Sequence, residues 1–167
     1  MVTTPKKTKK SELQAIGNIP AEIKIGPKKY PIKSPSIGVS SLVAQRLKVI
    51  FDELDFHPEK YDKESVTLQK IVGDLIQGIY TSIMNRKNDT LFDAATEVIA
   101  LIINNKPLDA RDIAITAEEV KWGLELSEFT GLLWKILEMS DLSNFLMLLL
   151  RVGQNLDLEG ALSGTRE

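Results

Sequence analysis

The sequence predicts a mainly α protein, a compact helical domain of about five to six helices with a small N-terminal β-hairpin. Three observations predict it. Residues 21 to 33 alternate apolar and charged side chains about a Gly-Pro pair, a period of two, whereas from about residue 39 onward apolar residues recur at spacings of three and four. The chain has 167 residues, 43% of them hydrophobic, which suits one domain with a real core.

In the first segment Ile23, Ile25, Tyr30 and Ile32 alternate with Glu22, Lys24, Lys29 and Lys33 around Gly26-Pro27, as two half-buried strands joined by a turn require. A lone hairpin is marginal in water, so it must lie on the helices or on a partner. Pro31 lacks an amide donor, which makes the second strand end or form an edge there. Ser34-Pro35-Ser36-Ile37-Gly38 then turns the chain into a first helix over about Val39 to Leu54. Its apolar face is Val43, Leu47, Ile50, Phe51 and Leu54, with Ser40 or Ser41 as the expected cap.

Phe56-His57-Pro58 interrupts that helix, because proline disfavours helical geometry in the residue before it. Over roughly residues 62 to 85, Leu68, Ile71, Val72, Leu75, Ile76, Ile79, Tyr80, Ile83 and Met84 form a stripe wide enough for the central element of the core. Gly73 and Gly78 lie within it. Each costs about 1 kcal/mol against Ala, so close helix packing is expected at both.

Asp89 is placed to cap a third helix through about Asn104 that buries Leu91, Ala95, Val98, Ile99, Ile102 and Ile103; Asn104-Asn105-Lys106-Pro107 ends it. Thr116-Ala117-Glu118-Glu119 has the capping-box spacing for a short helix from Ala117. Gly123 separates it from a longer one near Ser127 to Met139 with Phe129, Leu132, Leu133, Ile136 and Leu137. A last helix is expected over Asp141 to Val152, capped by Gly153. The organisation is therefore a disordered basic leader at 1–19, a hairpin plus helical domain at 20–153, and a flexible C-terminal tail at 154–167.

Several function classes are disfavoured. The absence of Cys removes thiolate chemistry, thiolate metal sites and disulfides. The single His57 has no histidine or cysteine partner to complete a ligand set, and the acidic residues Asp52, Glu53, Asp55, Glu59, Asp62 and Glu64 lack calcium-loop spacing. Glu118 and Glu119 suit a first helical turn, where carboxylates favour the helix dipole, better than an acid–base pair. Gly26-Pro27-Lys28-Lys29 lacks phosphate-loop spacing. No enzyme, cofactor or metal site is predicted. The longest apolar run, Phe145 to Leu150, falls well short of the roughly 20 residues a spanning helix needs, so no membrane association is expected.

Charge is divided along the chain. Residues 1–33 carry eight lysines against Glu12 and Glu22, a net +6, which leaves −8 on the remainder of a chain whose total is −2. Such an arm reads first as a solvated, flexible leader that aids solubility; the other uses open to it are binding nucleic acid or an acidic protein surface, or folding back on its own helices. Nucleic-acid binding is not expected, since the leader has no aromatic residue for base stacking before Tyr30. The C-terminal third carries Trp122, Trp134, Phe129, Phe145 and Leu146 to Leu150; core packing is the first reading of these residues, and a partner or self-association surface is the second, because the last helix is apolar on more than one face. Trp134, Phe145 and Leu149 are the candidate protein-binding residues, and self-association into a homo-oligomer is an expected use of such a surface.

The segment Glu22-Ile23-Lys24-Ile25-Gly26-Pro27-Lys28-Lys29-Tyr30-Pro31-Ile32, followed by Ser36-Ile37-Gly38 and a helix, resembles the opening of tail assembly chaperones of long-tailed bacteriophages. The stretches Ile115 to Leu124 and Leu137 to Leu146 are similar to the C-terminal helical part of such proteins, so the resemblance spans roughly residues 21 to 152. It implies a non-enzymatic chaperone in the host cytoplasm that coats the tape measure protein, recruits tail-tube protein subunits and is absent from the mature virion. The family's frameshifted longer form would put a junction in the tail from Gln154. A structural virion or host interaction module is the alternative reading, followed by a small nucleic-acid-associated regulator.

Overall fold

The computed structural model describes residues 22–57, 60–61, 67–85 and 89–138. Strands β1 (Glu22–Ile25) and β2 (Lys28–Pro31) pair antiparallel, Ile23 opposite Tyr30 and Ile25 opposite Lys28. Gly26 takes the first turn position at φ +57°, the sign both favoured two-residue hairpin turns require there. Ile23, Ile25 and Tyr30 are buried against the helical core, so the hairpin rests on the domain as its marginal stability demands.

Five helices follow among the described residues: α1 (Ile37–Leu54), α2 (Leu68–Met84), α3 (Asp89–Asn104), α4 (Ala117–Gly123) and α5 (Leu126–Leu137). The mainly α fold with a small N-terminal hairpin is thus the one the periodicity predicts. The expected last helix with its Gly153 cap, the leader and the tail lie outside the described residues.

Local corrections have physical causes. Helix α1 starts at Ile37 because the Ser36 hydroxyl, not Ser40 or Ser41, accepts from the Val39 amide at 3.3 Å. It ends on Asp55 in the left-handed region, φ +50°, which Asp tolerates better than most residues. Helix α2 starts at Leu68, where the Thr67 hydroxyl accepts from the Lys70 amide. Asp89 is a first-turn residue of α3, not its cap.

Tyr80 and Met84, expected in the α2 stripe, are exposed. At roughly 100° per residue both fall outside the arc set by Ile71, Val72, Leu75, Ile76 and Ile79. Tyr61 ties α1 to α2: its ring lies 5.9 Å from Phe56, itself 5.3 Å from Phe51, and its hydroxyl donates to Asp74 at 2.8 Å. Burial and that hydrogen bond push the hydroxyl pKa up to about 12. The same bond, with Lys70, holds the Asp74 carboxyl below its ordinary range.

The centre of the core is α3, not α2. Ten of its 16 residues are buried: Leu91, Ala94, Ala95, Thr96, Val98, Ile99, Ala100, Leu101, Ile102 and Ile103. It touches all four other helices. Alanines allow this, since helices approach closely wherever side chains are short. Thr96 is satisfied internally, its hydroxyl donating to the Asp93 carbonyl at 2.8 Å. The exposed line of α3 is closed by an Arg46–Glu97 ion pair to α1 and a Lys121–Asp93 pair to α4.

Two asparagines finish α3. Asn105 takes φ +49°, donates its amide to the Leu101 carbonyl at 2.9 Å, and accepts from the Ser36 amide through Oδ1 at 2.8 Å. Asn104 Nδ2 donates to the carbonyls of Ala100 (2.8 Å) and Ile115 (2.6 Å), while its Oδ1 accepts from the amides of Ala114 (2.6 Å) and Ile115 (3.1 Å). One side chain thereby fastens the 106–116 connection to the central helix and seats Ile115, which is buried. Asn104→Ala strands those backbone groups and is expected to cost about 2 to 3 kcal/mol, read as a lowered urea midpoint with an unchanged slope.

Candidate interaction surface

Helix α4 opens with the capping box its sequence predicts. Thr116 Oγ1 accepts from the Glu119 amide at 3.1 Å, and Glu119 Oε2 accepts from the Thr116 amide at 2.8 Å. That backbone hydrogen bond, then the Thr116 hydroxyl, hold the Glu119 carboxyl below its usual range. On the opposite side, Lys121 Nζ lies 2.7 Å from Asp93 Oδ1 and 5.0 Å from the Phe92 ring centroid. The Asp93 contact raises its pKa and keeps it charged. Phe92 packs edge-on to Phe129 of α5 at 5.6 Å. Helix α4 is therefore held at its start, on one flank and through buried Val120.

This leaves Trp122 facing outward. It is 76% exposed, and its indole Nε1 donates to Glu118 Oε1 at 2.5 Å. A large aromatic ring is held in solvent by a charge-assisted hydrogen bond, so little side-chain entropy remains to be lost when something binds it. Beside it lies a cleft of about 330 Å³, walled by Lys24 and Gly26 of the hairpin and by Trp122, Leu124, Glu125 and Glu128 of the α4–α5 junction. Glu125 and Glu128 form a second capping box at the start of α5.

The hairpin and the junction meet through two glycines. The Gly26 amide donates to the Gly123 carbonyl at 3.1 Å, and a Cβ on Gly123 would lie 2.6 Å from Ile25 Cγ2. Gly123, expected only as a helix break, is the position that lets β1 approach α4.

The predicted site residues divide. Trp134 is partly buried on α5 and packs on α2, its ring 3.3 Å from where a Gly73 Cβ would stand; Gly78 is matched in the same way by Leu54 at 3.2 Å. Close helix packing at both glycines is thus present, and Trp134 serves it. Phe145 and Leu149 lie outside the described residues. Trp122, the most exposed aromatic among the described large hydrophobics, is one that sequence reasoning left out of its site. Its signal was the Glu118 four residues earlier, on the same helical face.

The remaining candidates have structural surroundings. His57 Nε2 lies 2.8 Å from Asp55 Oδ1, and Gly26-Pro27 forms the hairpin turn. Among the described residues no group of three His, Asp or Glu side chains could hold a metal ion, and no helix is long and apolar enough to cross a membrane. No protein-family model, curated protein or solved structure matches this chain.

Gly123→Ala forces Ile25 or the strand to move and is expected to destabilise by about 1 to 3 kcal/mol. Gly131→Ala, on α5 with nothing within 4 Å of the new methyl, is expected to stabilise by up to about 1 kcal/mol. Thermal melts of the two variants check the contrast, and equal effects would contradict the hairpin contact.

Proposed function

We propose that this protein is a non-enzymatic protein-binding module and, following the resemblance of residues 21 to 152, a phage tail assembly chaperone whose client is the tape measure protein. The observation that supports a binding role is Trp122, exposed yet oriented by Glu118 beside a cleft with charged walls. Interfaces draw much of their energy from a few such aromatic anchors. A chaperone for an amphipathic helical client needs an apolar contact with a charged rim that limits nonspecific adhesion. Trp122 and Leu124 supply the former, and Lys24, Glu125 and Glu128 the latter. Phe145 and Leu149 are further candidate contacts, while Trp134 packs on α2 at Gly73, outside the lining of this cleft. Tail-tube subunits would be recruited to the client complex, in the host cytoplasm.

Co-expression with a tape measure protein encoded beside this chain is the test. The proposal expects that protein to become soluble and to copurify, and expects Trp122→Ala to reduce copurification about tenfold or more while leaving the fold unchanged by circular dichroism. No gain in solubility and no copurification would overturn the chaperone reading. Recovery of the chain from purified virions would favour a structural component instead.

A further inference from the structure

We propose that the Trp122 cleft recognises an arginine side chain carried on a helical segment of a partner protein, the guanidinium stacking on the indole face with its charge toward Glu125 and Glu128. The inference deepens the protein-binding reading of this surface and rests on it, whether or not the partner is a tape measure protein. The ring comes first. Trp122 is 76% exposed and its Nε1–H edge is already given to Glu118, so a partner meets the flat faces of the indole and not its donor. Those faces carry the negative part of the ring quadrupole and attract cations, Trp more strongly than Tyr or Phe. The Glu118 carboxylate at the edge adds negative charge beside them. The same kind of contact is used within the molecule, where Lys121 Nζ stands 5.0 Å from the Phe92 centroid.

The walls of the cleft select the same sign. Glu125 and Glu128 line it against Lys24 alone, and among the described residues no ion pair engages Glu118, Glu125 or Glu128. Lys121, the lysine nearest Glu118 in sequence, is taken by Asp93. Glu128 accepts from the Glu125 amide through Oε2 at 3.1 Å, which holds the carboxylate in place and leaves its other oxygen and its charge to a partner. An anionic segment would meet two carboxylates for one ammonium, and like charges brought together at an interface cost affinity.

Shape decides among cations. The cleft offers one aromatic ring, whereas free quaternary ammonium ligands are held in cages of several. A guanidinium suits a single face: it lies flat on the ring while its in-plane donors reach carboxylates at the sides, which the point charge of an ammonium does not match. A cleft of about 330 Å³ admits side chains and excludes the body of a helix about 10 Å across. The helix therefore lies over the mouth and sends the arginine in. Leu124, beside Trp122 in the lining, gives an apolar contact to the residue one turn from that arginine on the partner's helix.

The test is a titration of the full-length protein, followed through its two indole signals by nuclear magnetic resonance. The probe is a blocked helical peptide of Ala and Gln with one leucine and one arginine a turn apart, compared with analogues that carry citrulline or glutamate in place of the arginine. The arginine peptide should shift the Trp122 indole to saturation and bind about tenfold more tightly than the neutral citrulline peptide of the same shape. Most of that advantage should vanish at about 1 M salt, where the screening length falls to about 3 Å. The glutamate peptide should leave the signal in place. Changing Glu118, Glu125 and Glu128 together to Gln should erase the arginine preference with the fold intact, since Gln still accepts from the Trp122 indole and from the Glu125 amide. The Trp134 indole, packed on Gly73, is the folding control. Equal binding of the arginine and citrulline peptides would overturn the inference while the broader protein-binding reading survived. An arginine peptide that leaves the Trp122 indole unmoved at millimolar concentration, or a glutamate peptide that binds more tightly, would overturn it as well; copurification of a client judges the broader reading separately.

Discussion

The structure depends on the burial of α3 on almost every side. A helix with ten buried positions among 16 cannot lie on a surface, so the other elements are arranged to enclose it. Helix α1 covers one side and α4 another, with α2 and α5 completing the wall. Where polar residues break its apolar surface, Glu97 and Asp93 meet Arg46 and Lys121 from the enclosing helices. Such partly exposed pairs add modest stability. Their consequence is orientation: they fix which side of α1 and α4 faces the core.

The interaction surface follows from how α3 ends. Asn104 pins the 106–116 connection and Asn105 receives the Ser36 amide, so the starts of both α1 and α4 are referred to one point. From there the Thr116 capping box launches α4 and Gly123 admits the hairpin. Trp122, the residue immediately before Gly123, stands exposed beside that contact. An exposed tryptophan normally costs solvation free energy for no structural return. Here the same helix that buries Val120 presents Trp122 to solvent, held by Glu118.

Much of this was legible in the chain. Alternation around Gly26-Pro27 located the hairpin, and the Thr116/Glu119 spacing located a capping box that forms as written. The two glycines of α2 marked close packing because Gly in a helix interior needs such a compensation. Other features escaped for physical reasons. The centrality of α3 was hidden because Ala94, Ala95 and Ala100 add little to an apolar stripe yet permit close approach on the faces they occupy. Ser36 outcompeted Ser40 and Ser41 as a cap because the helix can start a turn earlier once Pro35 has fixed the entering chain. Asn104 reads locally as a helix stop, and three of its four side-chain hydrogen bonds depend on residues ten and eleven positions away. The site was only half legible: Trp134 and Trp122 are equally apolar, and only the tertiary arrangement places one against Gly73 and the other in solvent.

Native-state hydrogen exchange across the five helices tests the central role of α3 most directly. The account predicts that the amides of Val98 to Ile103 exchange only by global unfolding, with an opening free energy equal to the denaturant-derived stability and not exceeded in any other helix. If those amides open at lower free energy than the middle of α1 or α2, the core is organised around another element and the account is wrong.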